Sequence, residues 1–326
     1  MASQKQTILI TGAAGFLGQR LTAALVQKHP EYRLVITDVI TPSVPAGLAH
    51  TDNIVTIQAD LSDPASLAGL LAQAQPLAAV FVFHGIMSSG SEADPDLSLR
   101  VNLDATRALL LKLVETNKGV RVLYASSQAV YGAPFPDVIT DAVTPTPAGV
   151  YGTHKLMTEL LINDLHRRGQ IDAFSMRFPT VSVRAGKPTQ AASSFLSGIV
   201  REPMNGQECV VPIQDRRYRA VLSGPGTLVA NLLAVLKLPS EALPQHVRWI
   251  NFPGISVTVQ ELLDALARVG GEDKLQFVRE ETDPVMERIL RSWPLRVDDT
   301  TAMNLGLQRD ESAESLVREY VASMGK

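Results

Sequence analysis

The chain has 326 residues, a formal net charge of −3, 45% hydrophobic residues, 5% aromatics and one cysteine. That length allows one large domain or two modest ones around a substantial core. The near-neutral balance argues against a nucleic-acid binder, which needs a concentrated basic face, and the lone Cys209 rules out an internal disulfide.

Residues 1–7 run into an apolar strand with no signal-peptide core. The most apolar run, residues 77–87, is too short to cross a bilayer and is broken by His84 and Gly85. A cytoplasmic setting away from membranes is the expectation. Residues 8–10 read as a buried strand closed by Thr11 and Gly12, and 16–26 as a helix carrying Leu17, Leu21 and Leu25 on one face. Strands follow at 34–37, ending at Asp38, and at 55–57, ending near Asp60 and Leu61. A helix is predicted at 66–74 and a strand at 79–83, whose unbroken apolar run suits a sheet covered on both faces. Helical periodicity spans 96–116, a strand 120–125, a helix 151–168 and a strand 174–177.

This alternation predicts an α/β fold, a Rossmann-type doubly wound parallel sheet, because parallel strands require long crossovers. After about Pro179 the rhythm changes, and Pro, Gly and polar residues dominate to Arg219. Helices are predicted near 227–236 and 259–269, with a surface helix at 311–324. The division is residues 1–178 for cofactor binding and 179–326 mainly for a smaller substrate-binding region, with some segments returning to the sheet.

Thr11-Gly12-Ala13-Ala14-Gly15-Phe16-Leu17-Gly18 follows a strand and opens a helix. Gly12 permits the turn, Gly15 the approach of a pyrophosphate, and Gly18 close packing of helix on sheet. The helix N-terminus offers free N–H groups to phosphates. Asp38, at the end of the next strand, is placed to bind the adenosine ribose hydroxyls and to repel a 2′-phosphate, which predicts NAD over NADP. Asp60 and the adjoining Leu61 lie where an adenine would be met, although a capping role for Asp60 is equally open. No metal-ligand set is read from the sequence.

Tyr151-Gly152-Thr153-His154-Lys155 puts Tyr151 and Lys155 one turn apart on a helix face. A tyrosine has a reference pKa of ~10, and a cation one turn away is expected to lower it, giving a general base for an alcohol. His154 falls on another face and is read as structural, and Cys209 as a small buried residue. Taken together with Tyr124-Ala125-Ser126-Ser127-Gln128 and with Asn102 in Val101-Asn102-Leu103, the sequence resembles the extended short-chain dehydrogenase/reductases, the NAD-dependent epimerase/dehydratase family, over essentially its whole length.

The resemblance implies that Tyr151 takes a proton and that Lys155 lowers its pKa and holds the nicotinamide ribose. It implies that Ser127 bonds the reacting oxygen and that Asn102 supports the helix and a proton relay. Phe16, Leu17, His84, Gly85, Ser126, Pro179 and Val181 would line the cofactor. Segments such as Ser88-Ser89-Gly90, Val183-Arg184-Ala185-Gly186-Lys187-Pro188, Asn251-Phe252-Pro253 and Ser292-Trp293-Pro294 resemble the D-erythronate dehydrogenases within that family. This implies NAD-dependent oxidation of the C2 hydroxyl of a small sugar acid, D-erythronate to 2-dehydro-D-erythronate. Such a substrate needs a cation for its carboxylate and polar groups for its hydroxyls. The candidates are Arg184 first, then Arg217, with Ser88, Ser127 and Ser194. The alternatives are a nucleotide-sugar epimerase or dehydratase with tightly held NAD, and a non-catalytic NAD sensor. The resemblance also implies a homodimer formed through helices 98–116 and 151–168.

Overall fold

The computed structural model describes residues 5–49, 51–187 and 191–325. Residues 1–4 of the N-terminal stretch and Pro188 of the Arg184 segment lie outside the described residues.

The first half runs β1 (Thr7–Thr11), α1 (Phe16–Lys28), β2 (Arg33–Asp38), β3 (Ile54–Gln58), α2 (Pro64–Gln73), β4 (Leu77–Val82), α3 (Ser88–Ala93) and α4 (Pro95–Ser98). A π-helical turn (Leu99–Asp104) leads into α5 (Ala105–Thr116), then β5 (Arg121–Ser127), α6 (Val150–Arg167) and β6 (Asp172–Phe178). The second half contains β7 (Thr180–Val181), α7 (Ser194–Met204), β8 (Cys209–Val211), β9 (Arg219–Ser223), α8 (Pro225–Leu236) and β10 (Trp249–Asn251). It closes with β11 (Ile255–Thr258), α9 (Val259–Gly270), β12 (Val278–Glu280), α10 (Pro284–Arg291), α11 (Thr300–Asn304) and α12 (Ala313–Met324).

The main sheet has seven strands in the order β10-β6-β5-β4-β1-β2-β3, all parallel. Its strands alternate between two cores. Ile8 and Ile10 enter a cluster with Leu21 and Leu25 of α1 and Leu228 and Leu232 of α8. Leu9 enters the opposite one with Leu67 and Leu70 of α2, Leu109 and Leu113 of α5, and Ile162 of α6. Both faces are therefore covered, which is why the strands are apolar throughout.

Several elements differ from expectation. The second helix starts at Pro64, with the Asp63 carboxylate accepting from Ala65 and Ser66 N–H groups as its cap. The continuous helix expected over 96–116 is interrupted by the π-helical turn that carries Asn102. α7 lies in the stretch read as irregular; Gly198 and Pro203 disguise a helix whose Phe195, Leu196, Ile199 and Val200 are buried. α12 is more than a surface helix, because Leu316, Val317 and Tyr320 enter a third core built with α7 and α9. β10 and α8 return to the main sheet and its core, while β11-β9-β7 form a separate small sheet.

Candidate functional site

The strand order reverses between β1 and β4, and an open α/β sheet offers its crevice at such a point, at the carboxyl ends of the strands. A cleft of about 790 Å³ opens there, lined from both halves of the chain. At its floor, Gly12 has φ +66°, and a Cβ would stand 2.6 Å from the backbone of Phe83 and His84. Glycine is thus required both for the turn and for the approach of β1 to the chain after β4. A Cβ on Gly18 would meet the Ala13 Cα at 2.6 Å, so the third glycine brings α1 against the loop.

Gly15 caps α1 without a side chain, and the first turn carries no acid. The first N–H groups of α1 and its positive dipole end therefore face the cleft, as a pyrophosphate requires. Gly12, Gly15, Phe16, Leu17 and Gly18 all line it. So does Asp38, whose carboxylate accepts from the N–H groups of Ala14 (3.0 Å) and Val39 (2.8 Å). Asp60 lines the same end and accepts from the Ser62 hydroxyl and N–H, which hold its carboxyl below the usual range. Leu61 does not reach the cleft: it is buried in the core under β3, and Ser62 takes its place in the wall. A loop, an exposed set of helix N–H groups and a ribose-side carboxylate fit a dinucleotide.

The other end gathers Ser126, Ser127, Tyr151, Lys155, His84, Gly85, Pro179 and Val181 along the wall. Lys155 donates to the Ala125 carbonyl (2.7 Å), and its Nζ stands 5.5 Å from the Tyr151 ring centre. Burial pushes its ammonium down to about 8, with Glu159 opposing. Burial also pushes the Tyr151 hydroxyl up to about 12, against a hydrogen bond with Ser127 and the charge of Arg184. The expectation that Lys155 lowers Tyr151 therefore needs correction. In this structure the groups pulling the phenol down are Ser127 and Arg184, and desolvation outweighs both.

Asn102 stands behind the cleft wall. Its Oδ1 accepts from the Ile86 N–H (2.7 Å), while its Nδ2 donates to the Ile86 carbonyl (3.0 Å) and the Ser98 hydroxyl (3.1 Å). It fastens the loop after β4 to the π-helical turn, so it is a positioning residue and does not touch the cleft. His84 bridges Thr11 (2.8 Å) and Thr106 (3.0 Å), and burial drives its imidazole down to about 3, leaving it neutral. His154 meets Ser98 (3.0 Å) and is structural, as expected. Burial raises the Cys209 thiol to about 12, which makes it inert.

Sequence reasoning missed the support beneath this end. Glu159, one turn beyond Lys155, is fully buried, accepts from the Ser126 hydroxyl, and forms a two-pronged pair with Arg177 (2.6 Å for the Nη2–Oε2 bond). Arg177 also donates to the Tyr131 hydroxyl, which reaches Asn251 on β10. The helical spacing of Glu159 from Lys155 was the available signal.

Of the substrate candidates, Ser88, Ser127 and Arg184 line the cleft. The Ser88 hydroxyl accepts from Ala192 N–H at 3.4 Å, tying α3 to the chain before α7. Arg184 is mostly buried, and its Nε and Nη2 have no hydrogen-bond partner among the described residues. Burial and the neighbouring Arg201 lower its guanidinium to about 10. Arg217 is not part of the site: its side chain is 96% exposed beside Asp215, because its loop turns outward before β9. Ser194 begins α7 outside the lining, and its neighbour Ser193 faces the cleft instead. Tyr218, Ala220, Trp293 and Pro294 complete this end.

The sequence profile of the NAD dependent epimerase/dehydratase family matches residues 8–220. The chain belongs to that family. It is 38% identical to the D-erythronate dehydrogenase of Haemophilus influenzae over 316 residues, covering 96% of this chain and 98% of that protein. It is 40% identical to the D-erythronate dehydrogenase of Cupriavidus necator over 329 residues, covering 98% of each. Among solved structures, the nucleoside-diphosphate-sugar epimerase from Agrobacterium tumefaciens superposes with a TM-score of 0.90 at 33% identity, over 99% of this chain and 95% of that one. The cofactor is NAD, in keeping with the cleft's glycine loop and Asp38, and the enzyme is an oxidoreductase acting on a CH–OH group. Among the described residues no helix is long and apolar enough to cross a membrane.

Proposed function

We propose that the enzyme oxidises the C2 hydroxyl of D-erythronate to give 2-dehydro-D-erythronate. The observation that carries this reading is Arg184, a guanidinium held in the wall of the cleft with two buried nitrogens that find no hydrogen-bond partner among the described residues. A buried charge without partners is costly, and the partner that best satisfies a planar guanidinium is a carboxylate accepting two parallel bonds. Arg184 and Tyr151 line the same cleft, so a carboxylate seated on the guanidinium places the adjoining C2 hydroxyl in the space that Tyr151 lines. Two relatives that bear the D-erythronate dehydrogenase name over almost their whole length support the choice of acid.

In this reading Tyr151 removes the C2 hydroxyl proton, and Ser127 and Arg184 stabilise the phenolate that doing so requires. The Ser127 hydroxyl then donates to the C2 oxygen as it becomes a carbonyl. Lys155, anchored on the Ala125 carbonyl beside the tyrosine ring, would hold the nicotinamide ribose. When bound, NAD supplies the acceptor for the hydride that leaves C2. His84 and Asn102 keep the loop after β4 in place behind it.

The test is purified protein with NAD and a panel of four-carbon sugar acids, followed by NADH formation. NADH release with D-erythronate supports the proposal; activity confined to another acid rejects the substrate. Interconversion of a nucleotide sugar without NADH release would reject the dehydrogenase reading in favour of the epimerase one.

The same proposal includes a cytoplasmic homodimer. Leu99 and Leu111 along the helix ending in α5, and Met157 and Leu160 on α6, leave apolar side chains 38–59% exposed on the two helices. A second copy would cover them as a four-helix interface.

A further inference from the structure

The substrate end of the cleft is closed by a segment that has no place in the chemistry above. After α10, Trp293 and Pro294 enter the wall beside Tyr218 and Ala220. Pro294 is buried, and Trp293 is half-buried with its ring against the third core.

The segment is fastened on both sides. Upstream, the Tyr218 hydroxyl donates to the Leu290 carbonyl (3.1 Å), and the Leu290 side chain is fully buried. The Trp293 N–H also donates to the Leu290 carbonyl (3.2 Å). Downstream, the Ser256 hydroxyl donates to the Leu295 carbonyl (2.7 Å). Ile139 and the Arg296–Asp298 segment then exchange bonds, Ile139 N–H to Arg296 O (3.0 Å) and Asp298 N–H to Ile139 O (2.7 Å). A bulky ring between two such anchors cannot retreat far without breaking these hydrogen bonds, of which the Tyr218–Leu290 bond is buried.

The cleft must also hold the cofactor. Pockets of ~300–1,000 Å³ suit a single drug-sized ligand. A cleft of about 790 Å³ must receive a whole dinucleotide together with the substrate, and Arg184 and Trp293 both line it. On the substrate reading made above, on which this inference rests, Arg184 fixes one end of the acid, and chain length is measured from there.

We infer that Trp293 is a specificity-determining residue: its ring, pinned by the Leu290 and Leu295–Arg296 anchors, sets the maximum length of the 2-hydroxy sugar acid and excludes larger sugar substrates. Discrimination by such a wall is steric, and one methylene of fit in a tight pocket is worth about 10–200-fold in kcat/KM.

The experiment compares wild type, Trp293→Ala and Trp293→Phe on sugar acids of three, four, five and six carbons, with NAD, reading kcat and KM separately. Wild type should fall off steeply beyond its preferred length. Trp293→Ala should lose kcat/KM on the short acid and gain on the six-carbon acid, moving the ratio between them by about tenfold or more, chiefly through KM. Trp293→Phe, which keeps a ring, should retain most of the wild-type length profile and serves if the alanine variant does not fold. A wild-type enzyme that uses six-carbon acids as well as short ones overturns the inference. So does a Trp293→Ala profile parallel to that of wild type. A wild-type preference for a short acid other than D-erythronate rejects the proposed substrate while the length profile still tests Trp293. No turnover of any acid rejects both.

Discussion

Arg184→Met separates the two roles of one side chain, because the residue should stabilise a complex and destabilise the free protein. Burial and Arg201 take the guanidinium from 12.5 to about 10. At 1.36 kcal/mol per pKa unit, keeping it charged in the fold costs roughly 3 kcal/mol. The sign is that of a base whose folded pKa is depressed: the unfolded chain binds the proton more tightly, so the penalty is fully present below about 10 and fades only toward 12.5. Methionine fills similar apolar space without the charge. The variant should therefore melt a few degrees higher than wild type at neutral pH without ligands. Its loss with substrate is opposite in sign. Truncating one partner of a buried, hydrogen-bonded charge pair costs ~2–5 kcal/mol, so KM for the acid should rise by about 30-fold to several thousand-fold. The ascending limb of the pH–rate profile, which reports the general base, should also move to higher pH, since Arg184 no longer pulls Tyr151 down. Calorimetry of the free protein and steady-state NADH formation across pH measure all three. A variant that binds the acid like wild type, or that melts lower, refutes the carboxylate role and the unpaired-charge argument respectively.

Tyr151→Phe should lower kcat by about 10²–10⁴-fold while NAD titration stays near wild type; retained turnover sinks the proton-acceptor role. Lys155, held down at about 8 from 10.5, makes the wild-type fold gain stability as pH rises through that interval. Lys155→Met should remove that rise, read by chemical denaturation at several pH values, and should impair turnover. Asp38→Ser should raise the use of NADP relative to NAD by about tenfold or more, since two like charges ~4 Å apart repel by ~1–4 kcal/mol; an unchanged ratio of kcat/KM values would remove Asp38 from cofactor selection. Leu160→Glu, placing a charge on the most exposed apolar position of α6, should shift the elution of the protein from dimer to monomer, and a wild-type monomer would refute the interface.

What the sequence determined by itself was local. The run Ile8–Leu9–Ile10, the glycines at 12, 15 and 18, the acid closing a strand at 38 and the one-turn spacing of Tyr151 and Lys155 are each contained in a short stretch of chain. Hydrogen-bonding geometry of a strand, a turn or a helix face acts over that distance, so pattern alone carries to the parallel sheet and the cofactor loop. The long-range pairings were decided by the tertiary structure. Arg184 and Arg217 are both plausible cations in sequence, and only the packing of the chain after β7 leaves one in the cleft wall and the other in solvent. Trp293 joins the cleft because anchors at Tyr218, Ser256 and Ile139, far apart along the chain, converge on its flanks. The tyrosine pKa inverts the local expectation for the same reason. A cation one turn away is a property of the helix, whereas burial is a property of everything folded around it, and here burial prevails.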